Sequence, residues 1–249
     1  MSFPETIVLH PGEEKIQYAA ARGIPLGQRA VINDRVFRWT RNGATALSTA
    51  RLCQESVIVS GHGGDVVVQA AAAVGARTVT ITNNTTAMTA NMYAGGYMWG
   101  NDEAGEGPGY RIKSHPAIAA TANGVITLED DDTIRVALTT VSQVGFRRNL
   151  YDSVVVNPTT PTGVPVGVTC LAITADYYFW LQTWGPAAVL GNGTLIVGYM
   201  VSPGATTAGS VDVYPLNSVD GSGQQPGIGR VSRVAPSTEF SWIDLQIAP

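Results

Sequence analysis

The sequence predicts an all-β protein: a β-barrel or sandwich of short antiparallel strands with an extended N-terminal arm and little helix. Three observations carry this. The runs ESVIVSG, DVVVQAA and RTVTITNN are β-branched and separated by turn residues. The 249 residues include 28 Gly and 14 Pro, enough punctuation for many short strands. Only two short alanine-rich pieces, around 44–52 and 68–76, compete as helices in the first ninety residues.

Taken in order, the chain reads as three segments. Residues 1–50 form an extended N-terminal arm and the first strands, cut by Pro11, Gly12, Gly23, Pro25 and Gly27. Pro25 disfavours helix at Ile24, and VFRWT alternates as a strand that ends at the Asn42-Gly43 turn. Residues 51–150 form a β-rich lobe with a long Gly-rich loop over 92–116. In the same lobe GVITLEDDDTIRVAL reads as a hairpin around an acidic turn. Residues 151–249 form a C-terminal β-barrel lobe. Within it Gly167, Gly198 and Gly229 recur every 31 residues, each opening a strand-like run past a corner too crowded for a side chain.

Composition narrows the function. Charged residues are 14% of the chain, against the ~25% usual in soluble domains. Such a surface is either built from Thr, Ser, Asn and Gly or covered by partners. A net charge of -4 argues against direct nucleic-acid binding. Cys53 and Cys170 sit in apolar runs and read as buried thiols of a protein made in a reducing cytoplasm. The N-terminus lacks the basic-then-apolar order of a secretory leader, and no run is long enough to span a membrane.

Catalytic and metal-binding patterns are missing. His10, His62 and His115 lack metal-ligand spacing. No nucleophile elbow, phosphate loop or dinucleotide fingerprint occurs, so neither an enzyme nor a cofactor is expected. Glu129 to Asp132 lack the calcium-loop spacing and read as a solvated turn. The basic pair Arg147-Arg148 is a candidate for pairing with acidic residues of a neighbouring subunit.

DYYFWLQTWGP, from Asp176 to Pro186, holds five aromatic rings. In strand alternation Tyr177, Phe179 and Leu181 share one face and Tyr178, Trp180 and Gln182 the other. Rings on both faces suit a strand covered on both sides, with Tyr178 and Trp180 as anchors between lobes or subunits.

Two stretches resemble a known family. Asn33-Asp34-Arg35-Val36-Phe37-Arg38-Trp39, followed by Gly43-Ala44-Thr45-Ala46-Leu47, is similar to a pattern in head structural proteins of tailed bacteriophages. Gly167, Ile173-Thr174-Ala175, Trp180-Leu181-Gln182 and Gly185 stand where capsid decoration (cement) proteins carry matching strands. Bulky Tyr177, Tyr178 and Phe179 replace the small residues usual there, and the two stretches cover about a third of the chain.

The resemblance implies a non-enzymatic virion protein, made in the host cytoplasm, that binds the capsid exterior and clamps adjacent major capsid subunits. It implies the major capsid protein and further copies of the chain, as dimer or trimer, as partners. Contacts are expected from Arg29, Arg35, Arg38 and Trp39 of the arm and from Tyr97, Trp99 and Tyr110 of the loop. The alternative is a receptor- or carbohydrate-binding module of a tail or head fibre, with exposed rings in the 92–110 loop stacking on sugars.

Overall fold

The computed structural model describes residues 4–214 and 226–249. Its regular secondary structure is nearly all strand, and the one helical element among the described residues is a 3-10 turn at Glu13–Lys15. The chain forms two compact units, one from Met1–Val57 with Tyr151–Pro249 and one from Ile58–Leu150.

The larger unit opens with β1 (Thr6–Val8), β2 (Gln17–Tyr18), β3 (Arg29–Ile32), β4 (Arg35–Arg41) and β5 (Leu52–Gln54). The expected arm is part of its sheet. Strand β1 runs parallel to β3, β3 turns into β4 through Asn33 at φ 52°, and β4 lies in register with residues 178–184. Apolar burial explains the difference. Leu9, Ala30, Ile32, Phe37, Trp39 and Trp180 form one core cluster that a detached arm would leave in water.

The smaller unit is a closed six-stranded barrel. Its strands are β6 (Val66–Val68), β7 (Thr78–Thr82), β8 (Tyr97–Asp102), β9 (Gly109–Ser114), β10 (Asn123–Leu128) and β11 (Gln143–Arg147), in the order β10-β7-β6-β11-β8-β9. Closure removes every sheet edge. The interior holds Val66, Val79, Ile81, Met98, Tyr110, Ile112, Ile126 and Phe146. The expected loop over 92–116 is largely the β8–β9 hairpin, with Gly105 and Gly107 in the turn between the strands. The expected hairpin over 124–138 keeps only its first strand, β10; after the acidic turn the chain returns through a single bridge at Leu138.

The chain then completes the larger unit with β12 (Val155–Val156), β13 (Pro165–Val168), β14 (Tyr178–Leu190), β15 (Met200–Pro203), β16 (Val211–Val213), β17 (Gly229–Arg233) and β18 (Phe240–Gln246). Strand β14 pairs with β2 and β4 along its first half and with β18 along its second. A bulge against β4 falls between Gln182 and Trp184. Of the three spaced glycines, Gly167 and Gly229 each face a carbonyl of the next strand too closely for a Cβ. Gly198, at φ 84°, has open space around it.

A recurring corner joins the strands. Three isolated antiparallel bridges, Leu47 with Ile173, Ala72 with Leu138 and Met88 with Ile118, each use residues that directly follow an alanine. Three residues further on the backbone turns left-handed at Ala50, Asp176, Gly75, Asn91 and Thr121, with φ between 56 and 89°. Each of those N–H groups donates back across its bridge, to Thr169, Gly43, Ile134, His115 and Asn84 respectively. The first two corners use the alanine-rich pieces expected as helices. Alanine favours helix locally, but here the bridge partner, far along the chain, supplies the hydrogen bonds instead.

Two corners are fastened identically. The buried Asn42 amide donates to Thr45 and Thr174 carbonyls at 3.0 and 2.9 Å, and the buried Asn83 amide donates to Thr86 and Ala119 carbonyls at 2.9 and 3.1 Å. Each acceptor pair is the residue three further on and the residue after the partner bridge position. Asn42→Ala and Asn83→Ala are each expected to cost about 1–3 kcal/mol in urea unfolding, because each strands buried carbonyls. A loss under about 0.5 kcal/mol would show the corners to be held otherwise.

Candidate interface surfaces

The first half of β14 is enclosed. Trp39 and Trp180 are 0% and 3% exposed, with ring centroids 4.8 Å apart. Tyr178 stacks on Trp39 at 6.1 Å and 17°, and Tyr18 closes the group at 5.6 Å. Tyr18, Trp39 and Trp180 line a cavity of about 130 Å³ with Ile7, Leu9, Ile24, Glu13 and Arg22. The Arg22 guanidinium lies 4.6 Å above the Tyr18 ring. Trp39 and Trp180 are therefore core residues within one chain, and Tyr178 is half-buried against them.

The arginines expected to reach outward hold the chain to itself. Arg35 bonds Glu14 at 3.2 Å, Arg29 donates to Thr6 Oγ1 at 3.1 Å, and Arg38 donates to the Gly27 and Pro249 carbonyls at 3.3 and 2.9 Å. Burial alone would raise the Glu14 pKa. The backbone N–H groups of Glu14 and Gly12 and the Arg35 guanidinium outweigh that and hold it below the usual value. These contacts tie residues 4–14 and the C-terminal end onto the sheet.

On the barrel wall, three predicted residues converge. Tyr97 on β8 stands in register with Arg147 on β11 and Arg111 on β9, and Trp99 lies between Gly145 and Gly109. Tyr97 is 51% exposed. Trp99 lies across Gly145, where a Cβ would collide with the indole ring. Glycine on that neighbouring strand thus lets the indole lie against the wall. The β8 alternation sends Met98 inward and Tyr97 and Trp99 outward. Tyr110 points the other way, is 1% exposed, and accepts the Arg135 N–H at 3.2 Å. Arg148 is half-buried; its charge lowers the Tyr93 pKa, while the larger effect of burial pushes it up to about 12.

Sequence reasoning missed Arg111, whose place beside Tyr97 depends on the hairpin register. It also missed a face in the larger unit. Phe240, Trp242, Asp244 and Gln246 of β18 are exposed, and Ile243 and Leu245 between them are core. In register with them on β14 are Leu190, Ala188, Pro186 and Trp184. The signal was present in FSWIDLQ, whose aromatic and aliphatic residues occupy opposite faces.

Buried histidines brace the barrel. His62 Nε2 lies 2.8 Å from the Thr86 carbonyl, so Nε2 carries the proton and Nδ1 accepts the Tyr93 hydroxyl at 2.6 Å. His115 Nδ1 lies 2.8 Å from the Pro116 carbonyl, leaving Nε2 to accept the Tyr93 backbone N–H at 3.1 Å. Protonating His115 would set two donors against each other. Burial lowers the His115 pKa below 6.5, against a smaller opposing effect of the Pro116 carbonyl. Both thiols are free; burial pushes Cys53 up to about 12 and Cys170 up to about 11. Among the described residues, no three His, Cys, Asp or Glu side chains gather to hold a metal, and no helix is long and apolar enough to cross a membrane.

A histidine kept neutral binds fewer protons folded than unfolded. Its stabilisation is complete above the unfolded value of 6.5 and is lost as pH falls toward the lower folded value. Thermal melts are expected to show stability declining from pH 7 to pH 5, with the decline reduced in His115→Gln. An equal decline in that variant would contradict this assignment.

Comparison of the chain with protein-family models, with curated proteins and with solved structures finds no match.

Proposed function

We propose that this chain is a virion structural protein that binds the outer surface of an icosahedral capsid and clamps adjacent major capsid subunits. The observation that carries the reading is the barrel-wall patch of Tyr97, Trp99, Arg111 and Arg147. Aromatic rings and arginine are the side chains enriched at the centres of protein interfaces. Here they stand on a rigid, edgeless barrel, so little order remains to be lost on docking. The low charge content fits a surface partly covered by partners, and repetition over a symmetric shell makes weak single contacts effective through avidity. The sequence resemblance to capsid decoration proteins points the same way.

Capsid binding by this patch is tested by co-sedimentation with mature heads of the virus that encodes the chain. A Tyr97→Ala, Arg111→Glu variant is expected to bind at least ~30-fold more weakly, the scale of losing an interface hot spot. Wild-type protein that stays in the supernatant would overturn the reading.

One observation favours a second reading. Tyr97 is exposed beside Trp99, an arrangement on which a sugar ring could stack. Binding to a glycan array that Tyr97→Ala abolishes, without binding to heads, would select it.

A further inference from the structure

The outer face of β14, β18, β17 and β15 is apolar at its centre and charged in a definite pattern. Phe240, Trp242, Met200 and Trp184 are 54, 46, 38 and 36% exposed. Across one row of the sheet stand Met200, Arg230, Asp244 and Pro186; across the next stand Arg233, Trp242 and Ala188. The opposite side of these strands carries the core of Ala187, Val189, Val201, Val231, Ile243 and Leu245. Among the described residues, one face of the sheet is therefore filled and the other left exposed.

We infer that this exposed face is the docking surface for a second copy of the same chain, joined by a twofold axis running along the groove between β17 and β18. The argument is the register. That axis lays each β17 over the partner copy's β18, and each β15 over its β14. Arg230 then meets Asp244 of the other copy, and Asp244 meets Arg230. Arg233 lies over the facing Trp242 ring, a favourable place for a guanidinium. Met200 meets Pro186, apolar on apolar. A self-complementary surface must carry both charge signs at positions the axis exchanges; this face does so in the row of Arg230 and Asp244, and the next row sets a guanidinium against an aromatic ring. Two twisted sheets packed in this way lie nearly aligned, about 10 Å apart. The pairing does not depend on the capsid reading. If both hold, it supplies the bridging element: each dimer would carry two barrel patches.

Sedimentation equilibrium of the purified full chain tests the inference. The expected mass is twice the 26.1 kDa of one chain. Ala188→Arg places an exposed charge on the single chain but a buried one in the pair, and is expected to weaken dimerisation at least ~100-fold while circular dichroism is unchanged. Asp244→Arg sets like charges opposite each other and is expected to weaken it ~10-fold or more, and adding Arg230→Asp is expected to restore it. A wild-type chain that stays monomeric at about 100 µM, well above the Kd of specific pairs, would overturn the inference. So would a dimer indifferent to both Ala188→Arg and Asp244→Arg. A monomer that still decorates heads would overturn the pairing and leave the capsid reading standing.

Discussion

One extra residue in β14 governs the larger unit. Strand side chains alternate with period two, so a single inserted residue moves every later side chain to the opposite face. Before the bulge the even-numbered Tyr178, Trp180 and Gln182 face the core side, beside Trp39, Phe37 and Val168. After it the odd-numbered Ala187 and Val189 face the core, and Trp184, Pro186 and Ala188 turn outward. Gln182 secures the switch, its amide donating to the Trp184 and Pro186 carbonyls at 3.1 and 2.9 Å. Cys170 lies 3.6 Å from the oxygen of the same amide.

This switch divides one aromatic strand between two tasks. The first half buries its rings on both sides and stabilises the fold. The second half delivers a tryptophan, a proline and an alanine to an exposed face that β18 extends with Trp242 and Phe240. The barrel presents rings differently, by setting Trp99 against glycine at 145 and Tyr97 between two arginines. Each unit thus carries its own patch of exposed aromatic side chains on a rigid sheet, the arrangement the proposed clamp requires. The buried histidines and the corner fastened by Asn83 keep the barrel beneath its patch in shape.

The all-β class was legible because β-branched runs and turn residues dominate everywhere. So was the burial of Trp180, from rings on both faces of its strand. What escaped were features set by partners distant in sequence. The alanine pieces at 44–52 and 68–76 have helical propensity, but bridges from Leu47 to Ile173 and from Ala72 to Leu138 convert them into corners. Arg29, Arg35 and Arg38 look like an outward basic set until residues 4–14 and 249 fold against them. Tyr110 and Tyr97 are both tyrosines in the same glycine-rich stretch. Only the β8–β9 register shows that one fills the barrel and the other leaves it. The bulge in β14 has no sequence signature beyond Gly185, which is why alternation read forward from Tyr177 loses Trp184.

The most direct measurement is electron cryo-microscopy of heads of the encoding virus decorated with the purified chain. The account predicts density on the outer shell, with the Tyr97 and Trp99 wall of the barrel against major capsid protein and the Trp242 face turned toward a second copy. Heads that carry no added density, or density that meets the capsid through neither unit's aromatic patch, would contradict it.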